Sequence, residues 1–142
     1  MTTEISEAKI ELSIENRSSE INRCTGEIVL FLEQLNENAD TIYKFKLVIE
    51  EIVTNIIKYA FIDNKKHEIF ISAEVLRDRI IISFIDDGRE FNPKSAPKPD
   101  TFADIEKRPI GGLGIFLVKS MMSEIIYLRK NNKNILKLVL CR

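Results

Sequence analysis

The chain has 142 residues, of which 44% are hydrophobic and 30% are charged, and its net charge is −1. This length and balance are typical of one globular domain, and the near-neutral charge argues against a broad nucleic-acid-binding surface. No apolar run approaches the roughly 18 residues that a membrane-spanning helix needs, and the start of the chain does not resemble a signal peptide. We therefore expect a cytoplasmic protein that binds neither membranes nor nucleic acid.

The cysteines and the histidine argue against several kinds of metal and catalytic site. Cys24 and Cys141 match neither a zinc-binding nor a redox spacing, and we expect two reduced thiols packed as small hydrophobic residues. His67 is the only histidine, which argues against a His-rich metal site or a Ser-His-Asp triad. Because it lies in the polar stretch 63–68, we expect a solvated loop histidine.

The first part of the chain predicts one strand followed by two helices. Alternation with polar residues indicates a half-buried strand at Ile10, Leu12 and Ile14. Residues 17–20 are typical of a helix start, and apolar residues then recur at helical spacing, namely Ile21, Cys24, Ile28, Phe31, Leu32 and Leu35. After a break at 36–40, Asp40 or Thr41 is expected to cap a second helix from 42 to about 60. Its predicted inner face is Ile42, Phe45, Ile49, Ile52, Ile56 and Tyr59.

The second part predicts two hairpins separated by a loop and a helix. Alternating residues 69–75, a turn at 77–78 and an apolar run at 80–85 form the first hairpin. Residues 92–109 contain all four prolines and predict a long, functional loop. A helix to about 122 and strands at 125–129 and 135–140, joined by a turn at 131–134, complete the chain. We predict an α+β fold in a single domain of residues 1–142, a two-layer sandwich whose mostly antiparallel sheet is covered on one face by helices.

The second helix carries a polar pair that suits phosphate chemistry. Glu51 and Asn55 are four residues apart and therefore project from one face. The Asn carbonyl oxygen is a hard ligand suited to Mg²⁺ shared with phosphates, and the carboxylate can accept a proton from an attacking hydroxyl. Lys58 is placed to reach phosphate oxygens. The same residues also fit an ordinary polar helix edge.

Two later motifs suit the other parts of a nucleotide. Asp86 stands at a strand exit, where its carboxylate can accept a hydrogen bond from an adenine amino group, and Gly88 lets the backbone approach the base. Glycines at a helix start expose backbone N–H groups, and the helix dipole favours an anion there. We therefore interpret Gly111, Gly112, Leu113 and Gly114 as a candidate phosphate-binding site. The spacing fits neither a P-loop nor a dinucleotide fingerprint. A strand-ending turn and a glycine-rich helix entry are the ordinary explanations.

Taken in order, the three motifs resemble those of the GHKL (Bergerat-fold) superfamily. Residues 51–55 resemble its N box, Asp86-x-Gly88 its first glycine box, and Gly112-x-Gly114 its second. Within the superfamily, segments 86–93, 97–100, 108–115 and 127–138 most resemble the stand-alone anti-sigma factor serine kinases of the RsbW type. Glu90 stands where many members have another glycine, which we interpret, with Phe91 beside it, as the short-lid branch.

The resemblance implies a Bergerat-fold serine kinase that binds ATP and Mg²⁺. Asp86 would hold the adenine, Asn55 the metal, Gly112 and Gly114 the phosphates, and Glu51 would be the catalytic base. Residues 92–110 would form a lid, with candidate phosphate or partner contacts at Lys94, Lys98, Lys107 and Arg108. The implied partners are a STAS-type antagonist, which accepts the phosphoryl group, a sigma factor, and a second copy of the chain. Exposed apolar residues of the first helix are candidates for the dimer surface.

Two other functions stay open at this level. A non-catalytic module would use ATP only to control partner binding, since binding ATP does not imply phosphoryl transfer. A detached histidine-kinase catalytic domain would need a phosphoacceptor histidine on a helix pair, and His67 in a polar turn does not meet that need.

Overall fold

Five antiparallel strands form one sheet in the computed structural model, which describes residues 6–92 and 112–142. The strands are β1 (Ser6–Glu15), β2 (Glu68–Leu76), β3 (Arg79–Asp86), β4 (Glu124–Lys130) and β5 (Lys133–Cys141). Their order across the sheet is β1-β2-β3-β5-β4, so the last hairpin places its second strand beside β3. The predicted α+β class and antiparallel sheet are confirmed.

Three α-helices pack on one face of this sheet within the described residues. They are α1 (Ser19–Gln34), α2 (Ala39–Asn55) and α3 (Gly112–Met121). Their buried apolar residues form one core with the inward side chains of the strands, for example Ile28 of α1, Ile49 of α2 and Ile82 of β3. Helix–sheet burial of this kind is the dominant favourable term in folding.

The second helix differs from its prediction at both ends. Asn38, rather than Asp40 or Thr41, is the N-cap, because its extended backbone lets Oδ1 accept a hydrogen bond from the Thr41 N–H at 2.8 Å. The α-helix ends at Asn55, and residues Ile56–Ala60 form a π-helical turn. Turns of this type are frequent at functional sites.

The buried stripe of α2 is also wider than its prediction. Ile42, Ile56 and Tyr59 are only partly buried, whereas Val48, Val53 and Asn55 are buried. The reason is that α2 contacts α1 and α3 as well as packing over the sheet, so more than one side of it is covered.

The two cysteines differ from each other. Cys24 is buried in the core as expected, and burial raises the pKa of its thiol to about 12. Cys141 is exposed, so its prediction as a packed residue is wrong. It is the last residue of β5, where strand alternation directs it away from the core.

Over residues 6–92 and 112–142, none of the helices combines the length and the apolar character needed to cross a membrane.

Candidate functional site

A cavity lies where the end of α2, the exit of β3, the first turn of α3 and the last hairpin meet. It holds about 460 Å³ of empty space, counting its open mouth. Its lining residues are Ile52, Asn55, Ile56, Tyr59, Ala60, Asp86, Phe91, Ile115, Tyr127, Asn134 and Leu136. Two of the sequence-predicted residues, Asn55 and Asp86, therefore face one common space.

Asp86 presents a buried carboxylate to this cavity. Its Oδ1 accepts hydrogen bonds from the Gly88 N–H at 2.9 Å and from Nδ2 of Asn134 at 3.0 Å. No described residue hydrogen-bonds to the other oxygen, Oδ2. Burial raises the pKa of Asp86 above its ordinary value, although the two hydrogen bonds act in the opposite direction. The carboxylate is thus fixed through one oxygen, which leaves the second for a ligand.

Asn134 organises the residues around Asp86, and sequence reasoning missed it. Besides its bond to Asp86, its Nδ2 donates to the Arg89 carbonyl at 2.8 Å, and its Oδ1 accepts from the Tyr127 hydroxyl at 2.5 Å. The β3–β5 register pairs it directly with Asp86. Only this register reveals Asn134, because the sequence alone places it in a turn far from Asp86.

The turn after β3 is fastened to the π-helical turn at the end of α2. The Arg89 N–H donates to the Ala60 carbonyl at 2.8 Å, and its Nε donates to the Tyr59 carbonyl at 2.7 Å. A Cβ added to Gly88 would lie 2.5 Å from both Cβ and the carbonyl oxygen of Ala60. Glycine is therefore required here for chain packing, a constraint the sequence did not reveal.

Glu51 and Asn55 share one face of α2, as expected. Asn55 is buried, and its Nδ2 donates to Oε1 of Glu51 at 3.0 Å. Gly114 of α3 lies so close to Glu51 that an added Cβ would overlap the carboxylate. The structure thus brings together a residue of the second glycine motif and the polar pair of α2.

None of the remaining candidates is among the described residues that line the cavity. Lys58 is exposed on the π-helical turn and does not line the cavity. Gly112 and Leu113 begin α3. Gly111 and the lid segment from 93 to 110, with Lys94, Lys98, Lys107 and Arg108, lie outside the described residues.

His67 is not the solvated loop residue that its polar surroundings predict. Its side chain is 16% exposed, and its ring stacks on Phe61 with centroids 4.3 Å apart. Nε2 lies 2.8 Å from Asp63 Oδ1, and Nδ1 lies 3.0 Å from Asp87 Oδ1. The neighbouring acidic residues hold the ring in place, because the loop folds back onto the end of β3.

Comparison with known proteins identifies the family. Residues 16–140 match a family model described as histidine kinase-like ATPase domain. The chain belongs to this family. The solved RsbU and RsbW domains of Rv1364c from Mycobacterium tuberculosis share the fold, with a TM-score of 0.68 and 12% identity over 94% of this chain and 31% of that one. The catalytic domain of histidine kinase ThkA gives a TM-score of 0.50 at 17% identity over 92% of this chain and 97% of that one.

Relatives in this family include proteins named serine-protein kinase RsbW. The one from Staphylococcus aureus strain JH9 is 35% identical over 101 residues, 68% of this chain and 64% of the relative. The one from Listeria monocytogenes serovar 1/2a is 28% identical over 90 residues, 61% of this chain and 57% of the relative. The matches thus span 57% and 64% of these two relatives' lengths.

We predict that Gly88→Ala destabilises the chain by about 1–3 kcal/mol, since the added methyl group must displace backbone atoms of Ala60. Gly26→Ala is the matched control. Gly26 lies within α1 with nothing within 4 Å of an added Cβ, so this change should stabilise the chain by up to about 1 kcal/mol. Urea denaturation measures both values, and equal effects of the two substitutions would contradict the contact.

Replacing Asp86 with Asn should change how stability depends on pH. Because the pKa of Asp86 is raised on folding, the folded chain holds this proton more tightly than the unfolded chain does. The stability of the wild type relative to Asp86→Asn should therefore decrease as pH rises from 3.8, the ordinary value, through the raised pKa. Urea denaturation of both chains between about pH 3.5 and 7 tests this. A difference that stays constant, or grows in favour of the wild type, would contradict it.

Proposed function

We propose that this chain is an ATP- and Mg²⁺-dependent protein serine kinase of the anti-sigma factor type. The observation that carries the proposal is the common cavity of Asn55 and Asp86, with Glu51 at hydrogen-bond distance from Asn55 and beside Gly114. The family supports ATP binding, and the names of the relatives support serine kinase activity.

The purine end of the proposed site is built around Asp86. The free oxygen of its carboxylate is an acceptor for the adenine amino group, while Asn134 and Gly88 hold the other oxygen in place. Apolar side chains of Ile52, Ile56 and Leu136 line the same space. They cover the faces of a planar base and exclude water, which strengthens the single polar contact.

The phosphate end is built around Asn55. Its Nδ2 is engaged by Glu51, so its amide oxygen is the atom left for a ligand, and no described residue hydrogen-bonds to that oxygen. A hard oxygen at the cavity wall fits Mg²⁺, which would neutralise charge on the phosphates when bound. Backbone N–H groups of Gly111, Gly112, Leu113 and Gly114 are proposed to hold the phosphate oxygens. Lys58, three residues after Asn55, is a further proposed phosphate contact.

The proposed chemical step uses Glu51 as the base. A serine hydroxyl of the partner attacks the γ-phosphorus, and Glu51 accepts its proton. The new serine O–P bond forms as the bond from the γ-phosphorus to the bridging oxygen breaks, and ADP leaves. Asn55 fixes the carboxylate through its Nδ2–H donor, and Gly114 leaves just enough room for it. The proposed acceptor is a STAS-type antagonist, a sigma factor is the proposed sequestered partner, and the segment 92–110 is the proposed lid.

A second copy of the chain is a further proposed partner, and its proposed contact surface is the sheet face turned away from the three described helices. A cross-strand apolar row runs over this face through Phe70, Ile85, Ile135 and Leu128. Its two ends are the most exposed, Phe70 at 44% and Leu128 at 52%. In contrast, Leu30 is the large exposed hydrophobic residue that α1 offers among the described residues.

Charge supports a second copy as the occupant of this face. The outward charged residues of β1 and β2 are mainly acidic, namely Glu11, Glu15, Glu68 and Glu74, with Lys9 as the exception. Those of β4 and β5 are mainly basic, namely Lys130, Lys133 and Lys137, with Glu124 as the exception. A twofold axis parallel to the strands over β3 places the acidic half of each copy against the basic half of the other. An axis across the strands would bring like charges together.

Phosphoryl transfer from γ-labelled ATP to a candidate STAS-type antagonist tests the kinase proposal. Glu51→Gln should reduce transfer by about 100-fold or more, the usual contribution of a general base, while ATP affinity changes little. Glu50→Gln is the control, since Glu50 is adjacent but is not the residue that hydrogen-bonds to Asn55, and it should retain activity. Equal transfer by wild type and Glu51→Gln would refute the role of Glu51. ATP-dependent partner capture with no phosphorylated product would favour the non-catalytic module.

Light scattering of purified chains tests the dimer surface. Leu128→Glu places a charge in the apolar row and should convert a dimer into a monomer. Leu30→Glu, an equally exposed position on α1, should leave the dimer intact. A monomeric Leu30→Glu together with a dimeric Leu128→Glu would place the interface on α1. A monomeric wild type would refute the proposed dimer.

A further inference from the structure

His67 connects the loop between the π-helical turn and β2 to the exit of β3. Its ring stacks on Phe61 at an interplanar angle of 12°, and each ring nitrogen faces a carboxylate. Nε2 lies 2.8 and 3.0 Å from the two oxygens of Asp63, and Nδ1 lies 3.0 Å from Asp87. The His67 N–H also donates to Asn16 Oδ1 at 2.8 Å, which fixes the backbone beneath the ring.

Each of the two carboxylates follows, along the chain, a different segment that lines the cavity. Asp63 is in the loop that leaves Ala60, a lining residue at the end of the Asn55 helix. Asp87 follows Asp86, the buried carboxylate that also lines the cavity. The Asp63–His67–Asp87 cluster is therefore a second fastening between the two segments, beside the one made by Arg89 and Ala60.

The two fastenings respond differently to pH. The bond from the Arg89 N–H to the Ala60 carbonyl joins two backbone groups, which do not titrate, whereas a histidine titrates within the physiological range. A charged imidazole donates from both nitrogens, one to each carboxylate. A neutral ring has only one N–H, so one carboxylate then faces a nitrogen lone pair. Loss of the proton therefore breaks one side of the cluster.

The charged groups around the ring favour the protonated form. The hydrogen bond to Asp63 is the largest effect and raises the pKa of His67 above its ordinary value; burial acts in the opposite direction, and the charge of Asp87 raises the pKa further. Lys66, which forms an ion pair with Glu15 at 2.9 Å, adjoins the ring. The surface depression beside it is also lined by other charged groups, namely Glu68, Asp86, Asp87 and Lys133.

We propose that His67 is a positioning residue for the nucleotide site. Its charged ring fastens the end of β3, where Asp86 lies, to the loop that follows α2 and the π-helical turn. This inference rests on the proposed ATP-binding function. When the ring is neutral, Asp87 is released on one side and Asp86 is held less firmly. Nucleotide affinity then decreases as pH rises through the titration of His67.

Thermodynamic linkage gives the inference a second consequence. If protonation of His67 strengthens nucleotide binding by some factor, nucleotide binding must strengthen protonation by the same factor. The pKa of His67 must therefore be higher in the nucleotide complex than in the free chain. A residue that only supports the fold would show a stability effect without this reciprocal shift.

The sequence makes this shift directly measurable. His67 is the only histidine in the chain, so an untagged protein gives a single imidazole titration curve by proton NMR. The titration is recorded with and without saturating Mg·ADP, which binds without turnover. We expect a higher pKa in the complex, and an unchanged pKa would overturn the inference.

Calorimetry of Mg·ADP binding between about pH 6 and 9 supplies the matching measurement. Wild type should lose affinity about fivefold or more across the His67 titration, whereas His67→Gln and Asp87→Asn should not show this loss. Comparison with the variants cancels the titration of the nucleotide itself. Lys66→Gln is the control, because it removes a nearby charge but leaves both carboxylate partners, and it should retain the wild-type profile.

The outcomes separate the inference from the function on which it rests. Nucleotide binding with identical pH profiles in wild type and His67→Gln would overturn the role of His67 and leave the ATP site standing. A lower melting temperature in His67→Gln with no change in the profile would show a purely structural role. Failure of wild type to bind Mg·ADP at any pH would refute both.

Discussion

The contact between Gly88 and Ala60 is the constraint on which the rest of the site depends. The two residues belong to the first glycine motif and to the end of the second helix, and no Cβ fits between them. Their approach allows the Arg89 backbone to donate to the Ala60 carbonyl. Asn55 and Asp86, which lie on either side of this junction, thereby face one cavity. A looser junction would separate the two polar ends of the pocket.

The buried carboxylate of Asp86 shows how the fold accommodates a costly group. Burying a charge is unfavourable unless hydrogen bonds compensate for lost hydration. Gly88 and Asn134 supply two such bonds to one oxygen, and Tyr127 in turn donates to Asn134. The second oxygen is left without a described partner. A fold selected only for stability would place a neutral or apolar residue here, so this arrangement points to ligand binding.

Local patterns in the sequence predicted much of this molecule, and non-local geometry supplied the rest. Alternating apolar residues located the strands, because a half-buried strand buries every second side chain. Glu51 and Asn55 were expected on one helix face because their spacing is a local property. Asn134 was missed because its partnership with Asp86 follows from the β3–β5 register, which turn composition does not determine. His67 was misjudged because polar neighbours in sequence became its hydrogen-bond partners once the loop folded back.

The central claim is that one pocket binds a purine at Asp86 and metal-bound phosphates at Asn55. Calorimetry of ATP binding, with and without Mg²⁺, tests it for wild type, Asp86→Asn and Asn55→Ala. Wild type should bind more tightly with Mg²⁺. Asp86→Asn should lose about tenfold or more in affinity under both conditions, because the amide offers a donor where adenine needs an acceptor. Asn55→Ala should lose mainly the gain from Mg²⁺. Unaltered ATP affinity in Asp86→Asn, or an undiminished Mg²⁺ effect in Asn55→Ala, would contradict the account.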